Sequence, residues 1–147
     1  MIYNMSVNKK YLTGLDKKQQ EEKTKNIEKT KRLLKKGKKK EAIEVSKKRP
    51  VISSKKESGF TSKFKKKFPD VKPLTKECTL KTGIPLSIQK AVVKRGEGAF
   101  LSAGSRASVS SPRQWGIARL YAFYFKGILG KLDFDKDLME KVKNLKK

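Results

Sequence analysis

The chain has 147 residues and a formal net charge of +25 at pH 7, because 39 Lys and Arg stand against 14 Asp and Glu. This excess implies a polyanionic partner: nucleic acid, an anionic membrane surface or an acidic protein surface. The lack of His excludes the usual general base and the usual zinc ligand, and the single cysteine, Cys78, excludes an intrachain disulfide. Since there is neither a signal-peptide pattern nor an apolar run near the roughly 20 residues of a membrane span, we expect a reducing compartment.

The amino-terminal half carries the larger share of the charge, with 25 basic against 9 acidic residues in positions 1–78. After a loose start over residues 1–12, Thr13 and Asp16 have the spacing of a helix capping box. They predict a helix from about Leu15 to Lys36. Its few apolar positions indicate a helix that is weakly anchored and held mainly by charge pairs.

A second, shorter helix is predicted from about Lys39 to Lys48, and Pro50 ends it. Gly37, between the two helices, would allow them to form a helical hairpin. We therefore interpret residues 1–49 as a basic helical arm. Because the arm has little apolar surface to bury, we expect a partner to order it.

Residues 50–78 have no sustained hydrophobic period and are interpreted as an extended basic linker. Inside it, Phe60, Phe64 and Phe68 recur every four residues, so a little more than one helical turn would align them, and lysines fill the gaps. An aromatic and basic surface of this kind is typical of contacts with nucleic acid or a membrane. The alternative is that the three Phe dock onto the carboxy-terminal part of the chain, since three exposed Phe would lower solubility.

The most apolar part of the chain, Ile84 to Gly127, predicts a helix, a glycine loop and a second helix. Thr82 is a candidate cap for the first helix, and the glycines between Gly96 and Gly104 are expected to interrupt it. The second helix, Pro112 to Lys126, is apolar almost all round. That pattern is typical of a buried helix, so we expect Trp115 in the core.

A last helix is predicted after Asp133 or Asp135, with apolar side chains from Phe134 to Leu145 along one face. Together these segments predict a mainly α protein, in which residues 79–147 form a small three-helix domain behind a long, basic, partly helical amino-terminal arm. A domain below about 70 residues buries only a marginal core, so support from the arm or from a partner is expected.

Polar residues cluster around the predicted glycine loop and are the best candidates for chemistry. They comprise Arg95, Glu97, Ser102, Ser105, Arg106, Ser108, Arg113 and Gln114. A glycine-rich loop leading into a helix start, with arginines beside it, could hold a phosphate or contact a DNA backbone. It lacks the Gly-Lys-Ser/Thr ending of a P-loop, and no predicted strand precedes it as in a dinucleotide-binding motif. The simpler interpretation is a loop tied down by its own serines and arginines, and catalysis is the least favoured of the three.

Other charged positions have structural explanations. Asp133, Asp135 and Asp137 could gather a metal ion, but their place at a helix start explains them better. Arg119 lies on an otherwise apolar helix, where it either pairs with Glu97 or a terminal acid or extends its charge to water. We therefore expect no metal site and no cofactor.

The segments KRGEGAFLSAGSR and QWGIARLYAF resemble an uncharacterised domain family of large double-stranded DNA viruses, of the chlorella-virus and mimivirus type, and of some tailed phages. The matching positions are Arg95, Gly96, Gly98, Ala99, Phe100, Gly104, Ser105, Arg106, Trp115, Gly116, Ala118 and Arg119. The stretches LLKKGKKK and SSKKESG are also similar to the long members, so the resemblance covers most of the chain. Where the family often has Pro after the loop arginine, this chain has Ala107, which leaves the loop conformation open. The family has no agreed activity, so the resemblance implies a viral origin and not a reaction.

The expected function is that of a non-enzymatic structural protein of a large DNA virus particle, either a minor capsid or an internal virion protein. Its basic arm would bind an acidic capsid surface, the inner membrane or the genome. The alternatives are a viral protein that binds or condenses DNA and, third, a nucleic-acid-processing enzyme that uses the arginine-glycine loop. The expected partners are major and minor capsid proteins, with double-stranded DNA or an anionic membrane surface as further candidates and no small-molecule substrate. The protein would be made in the host cytoplasm or a virus factory and reside in the virion.

The residues predicted to make these contacts fall into two groups, and no catalytic residue is among them. The polyanion-binding group comprises Lys35, Lys36, Lys38, Lys39, Lys40, Lys63, Lys65, Lys66, Lys67, Arg95, Arg106 and Arg113. The partner-contact group comprises Phe60, Phe64 and Phe68. Lysine runs are mostly solvated in isolation, but lysines in this number require a polyanion nearby.

Overall fold

The computed structural model describes residues 11–51, 59–102, 104 and 109–145. This part of the chain forms seven α-helices and contains no strand, which confirms the prediction of a mainly helical protein. The helices are α1 (Lys17–Lys35), α2 (Lys39–Ser46), α3 (Gly59–Lys67), α4 (Lys76–Thr82), α5 (Leu86–Ser102), α6 (Pro112–Ile128) and α7 (Lys136–Leu145).

A capping box starts α1, but its N-cap is Asp16 and not Thr13. Asp16 is the N-cap: its Oδ1 accepts a hydrogen bond from the backbone N–H of Gln19 at 2.8 Å, and Gln19 Oε1 accepts one from the N–H of Asp16 at 3.2 Å. The predicted box starting at Thr13 is therefore shifted by three residues. Reciprocal bonds of this kind satisfy N–H groups that a helix start would otherwise leave unpaired, and so fix where this weakly apolar helix begins.

α5 runs without interruption from Leu86 to Ser102, through Gly96 and Gly98. The predicted glycine loop beginning at Gly96 is therefore wrong. A glycine inside a helix costs about 1 kcal/mol relative to alanine, an amount that tertiary packing readily offsets. The chain turns at Gly104 instead, where φ is +96° and the N–H donates to the carbonyl of Ala99 at 3.1 Å.

α4 lies where the extended linker and the start of the next helix are predicted. Thr75 caps it by accepting from the N–H of Cys78 at 3.1 Å, and Gly83, in the left-handed conformation at φ +76°, ends it. Thr82, the candidate cap of the following helix, is the last residue of α4, and its hydroxyl accepts from the N–H of Ile84 at 3.2 Å. A seven-residue helix is too short to show a hydrophobic period, so only its caps mark it in the sequence.

The chain divides into two compact units. The first combines Met1–Lys56 with Glu97–Trp115, and the second combines Glu57–Gly96 with Gly116–Lys147. As a result, α5 and α6 each contribute residues to both units. The predicted division into an arm (1–49), a linker (50–78) and a carboxy-terminal domain (79–147) concerns which segments fold independently. That division stays a prediction.

The first unit has a small buried cluster made by Ala42, Phe100 and Leu101. Trp115 packs against this cluster and is only partly buried; its ring meets that of Tyr11 edge-on, with centroids 6.3 Å apart. The expectation that Trp115 lies in the core of the carboxy-terminal helices is therefore wrong. The cause is its place in the first turn of α6, which belongs to the first unit.

The second unit has the larger core. Its buried members are Phe64, Cys78, Ile84, Ile88, Val92, Val93, Leu120, Tyr121, Phe123, Tyr124, Leu138 and Val142. α7 thus places Leu138 and Val142 in the core, one turn apart on one face, while Leu145 at its end is exposed. The predicted apolar face of the last helix is therefore shorter than expected, because the helix ends where Leu145 no longer meets the core.

Candidate polyanion-binding surface

The connection between α1 and α2 carries the largest run of basic side chains in the described chain. We call it the lysine turn; its members are Arg32, Lys35, Lys36, Lys38, Lys39 and Lys40. All six residues are exposed, and none of them makes an ion pair or a side-chain hydrogen bond with another described residue. The structure therefore brings together five of the predicted polyanion-binding lysines and adds Arg32 to them.

Backbone hydrogen bonds fix the lysine turn. The N–H of Lys38 donates to the carbonyl of Leu33 at 2.9 Å, and the N–H of Gly37 donates to that of Leu34 at 3.0 Å. With Gly37 at φ +75°, these are the two bonds and the left-handed glycine of a Schellman motif. α1 and α2 also pack against each other. The basic side chains therefore extend from a backbone that is already ordered.

The second predicted basic group lies on α3, beside aromatic rings that are packed into the second unit. Phe64 is 2% exposed, and its ring stacks on Tyr121 with centroids 4.2 Å apart. Phe60 and Phe68 are partly buried against the same core. These contacts support the alternative in which the three Phe dock within the chain. The assignment of Phe64 to partner contact is wrong, because a ring this deeply buried cannot reach a partner while the protein stays folded.

The four predicted lysines of α3, Lys63 to Lys67, are exposed. Two of them lie over aromatic rings: Lys63 Nζ is 5.6 Å from the centroid of Phe60, and Lys67 Nζ is 5.4 Å from that of Tyr124. Cation–π contacts at exposed sites contribute about 0.5–1 kcal/mol. Part of the α3 charge is therefore already held by the chain itself.

Arg95, also predicted to bind a polyanion, is occupied by carboxylates of its own chain. Its Nη1 and Nη2 donate to the two oxygens of Asp137 at 2.8 and 2.7 Å, and Nη1 also donates to Asp135 at 3.0 Å. The hydrogen bonds to Asp137, and then those to Asp135, raise the pKa of Arg95 further. In return, the hydrogen bonds from Arg95 lower the pKa of Asp137 to about 2. An external anion would have to compete with both carboxylates.

Asp135 also joins Arg119 in a two-pronged ion pair. Arg119 Nε donates to Oδ2 at 2.9 Å and Nη2 to Oδ1 at 3.0 Å, and the Asp135 side chain is only 2% exposed. The backbone carbonyl of Asp135 accepts from the N–H groups of Leu138 and Met139 at the start of α7, and its φ is +49°. Of the alternatives for Arg119, the structure thus shows pairing with a terminal acid.

The third aspartate of this segment, Asp133, pairs with Lys126 at 3.3 Å. Each of the three carboxylates therefore has a basic partner. Within the described ranges there is no group of three or more His, Cys, Asp or Glu placed to hold a metal ion.

Two glycines of the resemblance motifs allow α5 and α6 to cross at close range. A Cβ atom on Gly96 would lie 2.6 Å from the Cα of Gly116, and one on Gly116 would lie 2.5 Å from the carbonyl oxygen of Val93. Gly98, by contrast, faces open space. Gly96 and Gly116 therefore serve helix packing rather than a phosphate-binding loop.

A buried arginine that the sequence does not reveal organises the first unit. Arg49 Nε donates to Asn26 Oδ1 at 2.7 Å, and its Nη2 donates to the Thr30 hydroxyl at 2.8 Å. Its Nη1 donates to the carbonyl of Phe100 at 2.6 Å, near the carboxyl end of α5, and Thr30 donates to the carbonyl of Leu101 at 2.5 Å. Burial lowers the pKa of Arg49, but the negative end of the α5 dipole favours its charge. In the sequence Arg49 resembles any solvated residue at a helix end.

Lys23 is a second buried cation in the first unit. Its Nζ donates to the carbonyl of Tyr11 at 2.7 Å. Burial, and to a smaller extent the charge of Arg49, lowers the pKa of Lys23 to about 8. Lys23 and Arg49 therefore carry positive charge inside the first unit, where their hydrogen bonds connect its segments.

The remaining predicted residues divide between described and undescribed parts of the chain. Arg113 is exposed in the first turn of α6. Ser111 Oγ accepts from the N–H of Gln114 at 3.2 Å, and Gln114 Oε1 accepts from the N–H of Ser110 at 2.9 Å, so this part of the polar set caps α6. Ser105, Arg106 and Ser108 lie outside the described residues.

Over the described ranges, none of the helices combines the length and the apolar character that crossing a membrane requires.

Comparison with known proteins identifies a family. Residues 8–139 match the model of a family whose description reads "Family of unknown function (DUF5824)". No curated protein and no solved structure is similar enough to count as a match. The matched segment includes the lysine turn, the α5–α6 crossing and the ion pairs that Arg95 and Arg119 make with Asp135 and Asp137. Because the match covers well over half of its length, the chain belongs to the DUF5824 family of unknown function.

Proposed function

We propose that the chain is a non-enzymatic structural protein of a large double-stranded DNA virus particle, and that its polyanionic partner is the packaged genome. The observation that carries this proposal is the lysine turn, whose six exposed cations have no acidic partner among the described residues. Clustered surface cations attract phosphates strongly, and by neutralising the phosphates they release the counterions condensed on the nucleic acid. In this proposal the amino-terminal half meets the genome, and the three-helix part of residues 79–147 anchors it.

The chemistry of the lysine turn favours the genome over the other acidic partners. A stable protein interface has an apolar core from which charged residues are depleted. A helix bound to a membrane surface buries an aromatic or aliphatic face. The lysine turn offers only cations, and the two leucines that lie within its stretch of the chain, Leu33 and Leu34, pack against the buried cluster of the first unit. A phosphate backbone requires no more than cations.

The viral part of the proposal rests on the resemblance of three segments to the domain family of large double-stranded DNA viruses. These segments have the patterns RGxGAF, GSR and QWGxAR. Much of this pattern has internal roles in the fold. Gly96 and Gly116 sit at a helix crossing, and Arg95 and Arg119 are held by carboxylates. Residues used for packing and internal ion pairs suit a structural protein better than an enzyme, whose recurring residues would line a reaction site.

A minor capsid protein is the second candidate, and one observation favours it. The second unit exposes four large aliphatic side chains: Leu80 at 84%, Ile128 at 61%, Leu129 at 67% and Leu145 at 68%. A contact with a capsid protein would remove such side chains from water, with a gain of about 25 cal/mol per Å² of apolar surface. Under this alternative the lysines of the lysine turn would keep the protein soluble and speed its approach to an acidic partner, and would contribute less to binding itself.

Fractionation of purified particles distinguishes the two candidates. Particles would be opened gently and the shell separated from the nucleoprotein core, and the protein would then be followed by quantitative mass spectrometry in each fraction. We expect it in the core fraction and expect nuclease digestion or about 1 M salt to release it, because salt screens phosphate contacts at that concentration. Retention on the nuclease-treated shell would favour the capsid candidate, and absence from particles would overturn both.

A further inference from the structure

We infer that the lysine turn is the element that binds the sugar–phosphate backbone of duplex DNA, without regard to base sequence. This assignment rests on the proposed function and deepens it by naming the element, the form of the nucleic acid and the mode of binding.

Elsewhere in the described chain, many basic side chains are already engaged. Arg95 and Arg119 hold carboxylates, and so does Lys126. Others are covered or buried: Lys63 and Lys67 lie over aromatic rings, and Lys23 and Arg49 are inside the first unit. The lysine turn differs in having six cations within nine consecutive residues, all exposed and none paired with a described residue. It therefore has the most charge available for an external anion.

The order of the turn also favours binding. Its Schellman bonds, Lys38 to Leu33 and Gly37 to Leu34, fix the backbone before any ligand arrives. Binding then has to immobilise only the side chains, so less conformational entropy is lost than when a disordered basic tail folds on DNA. The last turn of α1, the first turn of α2 and the connection between them carry the six cations. With a rise of about 1.5 Å per residue along each helix and about 8–10 Å between packed helices, the two helix ends together span roughly 15 Å. Several duplex phosphates fit within that span, since duplex DNA carries a charge about every 1.7 Å.

The composition of the turn selects duplex over single-stranded nucleic acid. Proteins that hold single strands stack the exposed bases on aromatic side chains. Residues 32–40 contain no aromatic residue, and their only apolar side chains, Leu33 and Leu34, face the buried cluster of the first unit. A surface of this kind offers nothing to an unstacked base. It matches a duplex, which presents its phosphates outward and keeps its bases stacked.

The same composition argues against sequence readout. Base edges are read mainly by the paired donors or acceptors of Arg, Asn and Gln side chains inserted into a groove. The turn has one such residue, Arg32, and five lysines, which act as mobile point charges and position a protein on phosphates without reading the bases. The expected affinity therefore depends on salt and on duplex length and hardly on sequence.

The test uses the full chain and a short fluorescein-labelled duplex, with affinity measured by anisotropy from about 50 to about 200 mM salt. The turn variant carries K36Q, K38Q, K39Q and K40Q. The matched control carries K18Q, K25Q, K136Q and K141Q, which removes the same charge from exposed positions elsewhere. A third variant replaces the same four lysines, Lys36, Lys38, Lys39 and Lys40, with arginine. Circular dichroism would verify that all three remain as helical as the wild type.

Each neutralised phosphate contributes about 0.9 to the slope of log affinity against log salt. We expect the turn variant to lose about 3–4 from the slope, the control to lose less than about 1, and the arginine variant to keep the wild-type slope. Affinities for duplexes of unrelated sequence should agree within about threefold, and a single strand of equal length should bind more weakly.

The contrary results separate this inference from the proposed function. Equal losses in the turn variant and the control, with a steep wild-type slope, would show that the whole surface binds DNA; the lysine turn would then lose its assignment and the genome would remain the partner. Preference for the single strand or for one duplex sequence would overturn the stated mode. A shallow wild-type slope with weak binding would count against the genome as partner, and so against the proposed function itself.

Discussion

Gly96 on α5 and Gly116 on α6 face each other so closely that a Cβ on Gly96 would lie 2.6 Å from the Cα of Gly116. Folded proteins essentially never show a Cβ at such a distance from backbone. Both glycines sit inside helices, where glycine is unfavourable by itself. Their presence is explained by the crossing, which lets Val92, Val93 and Leu120 pack into one core.

The crossing predicts opposite effects of an alanine at Gly116 in α6 and an alanine at Gly98 in α5. Gly116→Ala should lower the free energy of unfolding by about 1–3 kcal/mol, because its Cβ would meet the Val93 carbonyl oxygen at 2.5 Å and force the helices apart. Gly98→Ala, inside α5 with open space around it, should raise the free energy of unfolding by up to about 1 kcal/mol through helix propensity. Urea unfolding followed by circular dichroism measures both. Equal effects at the two positions would mean that the helices do not cross at Gly116.

The buried carboxylate of Asp135 is expected to matter more than its exposed neighbour. Asp135→Ala leaves Arg119 without its partner and should lower the free energy of unfolding by about 3 kcal/mol, as is typical when one member of a buried pair is removed. Asp133→Ala breaks an exposed pair with Lys126 and should change stability little. Thermal unfolding of the two variants provides the comparison. If Asp133→Ala were the more harmful change, the ion-pair network would be assigned wrongly.

Acid stability should depend on the Arg95–Asp137 pair. The pKa of Asp137 is lowered to about 2 in the folded chain and lies near 4 in an unfolded chain, so at low pH the unfolded state binds the proton more tightly. The pair therefore contributes stability above about pH 4, and this contribution is lost as the pH falls from about 4 to about 2. Melting temperatures of the wild type and of Asp137→Asn should converge over that range. A gap between the wild type and Asp137→Asn that stays constant from pH 5 to pH 2 would contradict the pairing.

Alkaline pH should stabilise the first unit through Lys23. Burial, and then the charge of Arg49, lowers the pKa of Lys23 to about 8, against about 10.4 in an unfolded chain. Below pH 8 the folded chain keeps a proton on a buried amine at a cost, and that cost disappears as the pH rises from about 8 to about 10.4. The free energy of unfolding of the wild type should therefore rise over this window relative to Lys23→Met, in which nothing titrates at that position. Urea unfolding of both proteins at several pH values tests this prediction. If the free energies of unfolding of the two proteins changed with pH in the same way, the Lys23 amine would be exposed to solvent.

Local signals in the sequence determined several features of this protein. Helical periodicity and the absence of strand patterns fixed the class, and Pro112 marked the start of α6 as found. The excess of Lys and Arg predicted a basic surface, and the lysines around Gly37 are exposed as a solvated run would be. These features depend on residues a few positions apart, which is the range over which capping, turn formation and charge repulsion act.

Tertiary structure alone decided which of the notable residues face inward. Arg49 is buried because Phe100, 51 positions later, supplies a carbonyl for it, and no local pattern records that meeting. Gly96 stands inside a helix, where glycine is unfavourable, because Gly116 leaves no room there for a Cβ. Phe64 stacks on Tyr121 rather than on a partner because the core of the second unit receives it. Burial, close approach and ion pairing depend on residues that are distant in the chain. The glycines of α5 are therefore compatible, by sequence alone, with a loop or a helix crossing, and the Phe repeat of α3 with a binding surface or a core.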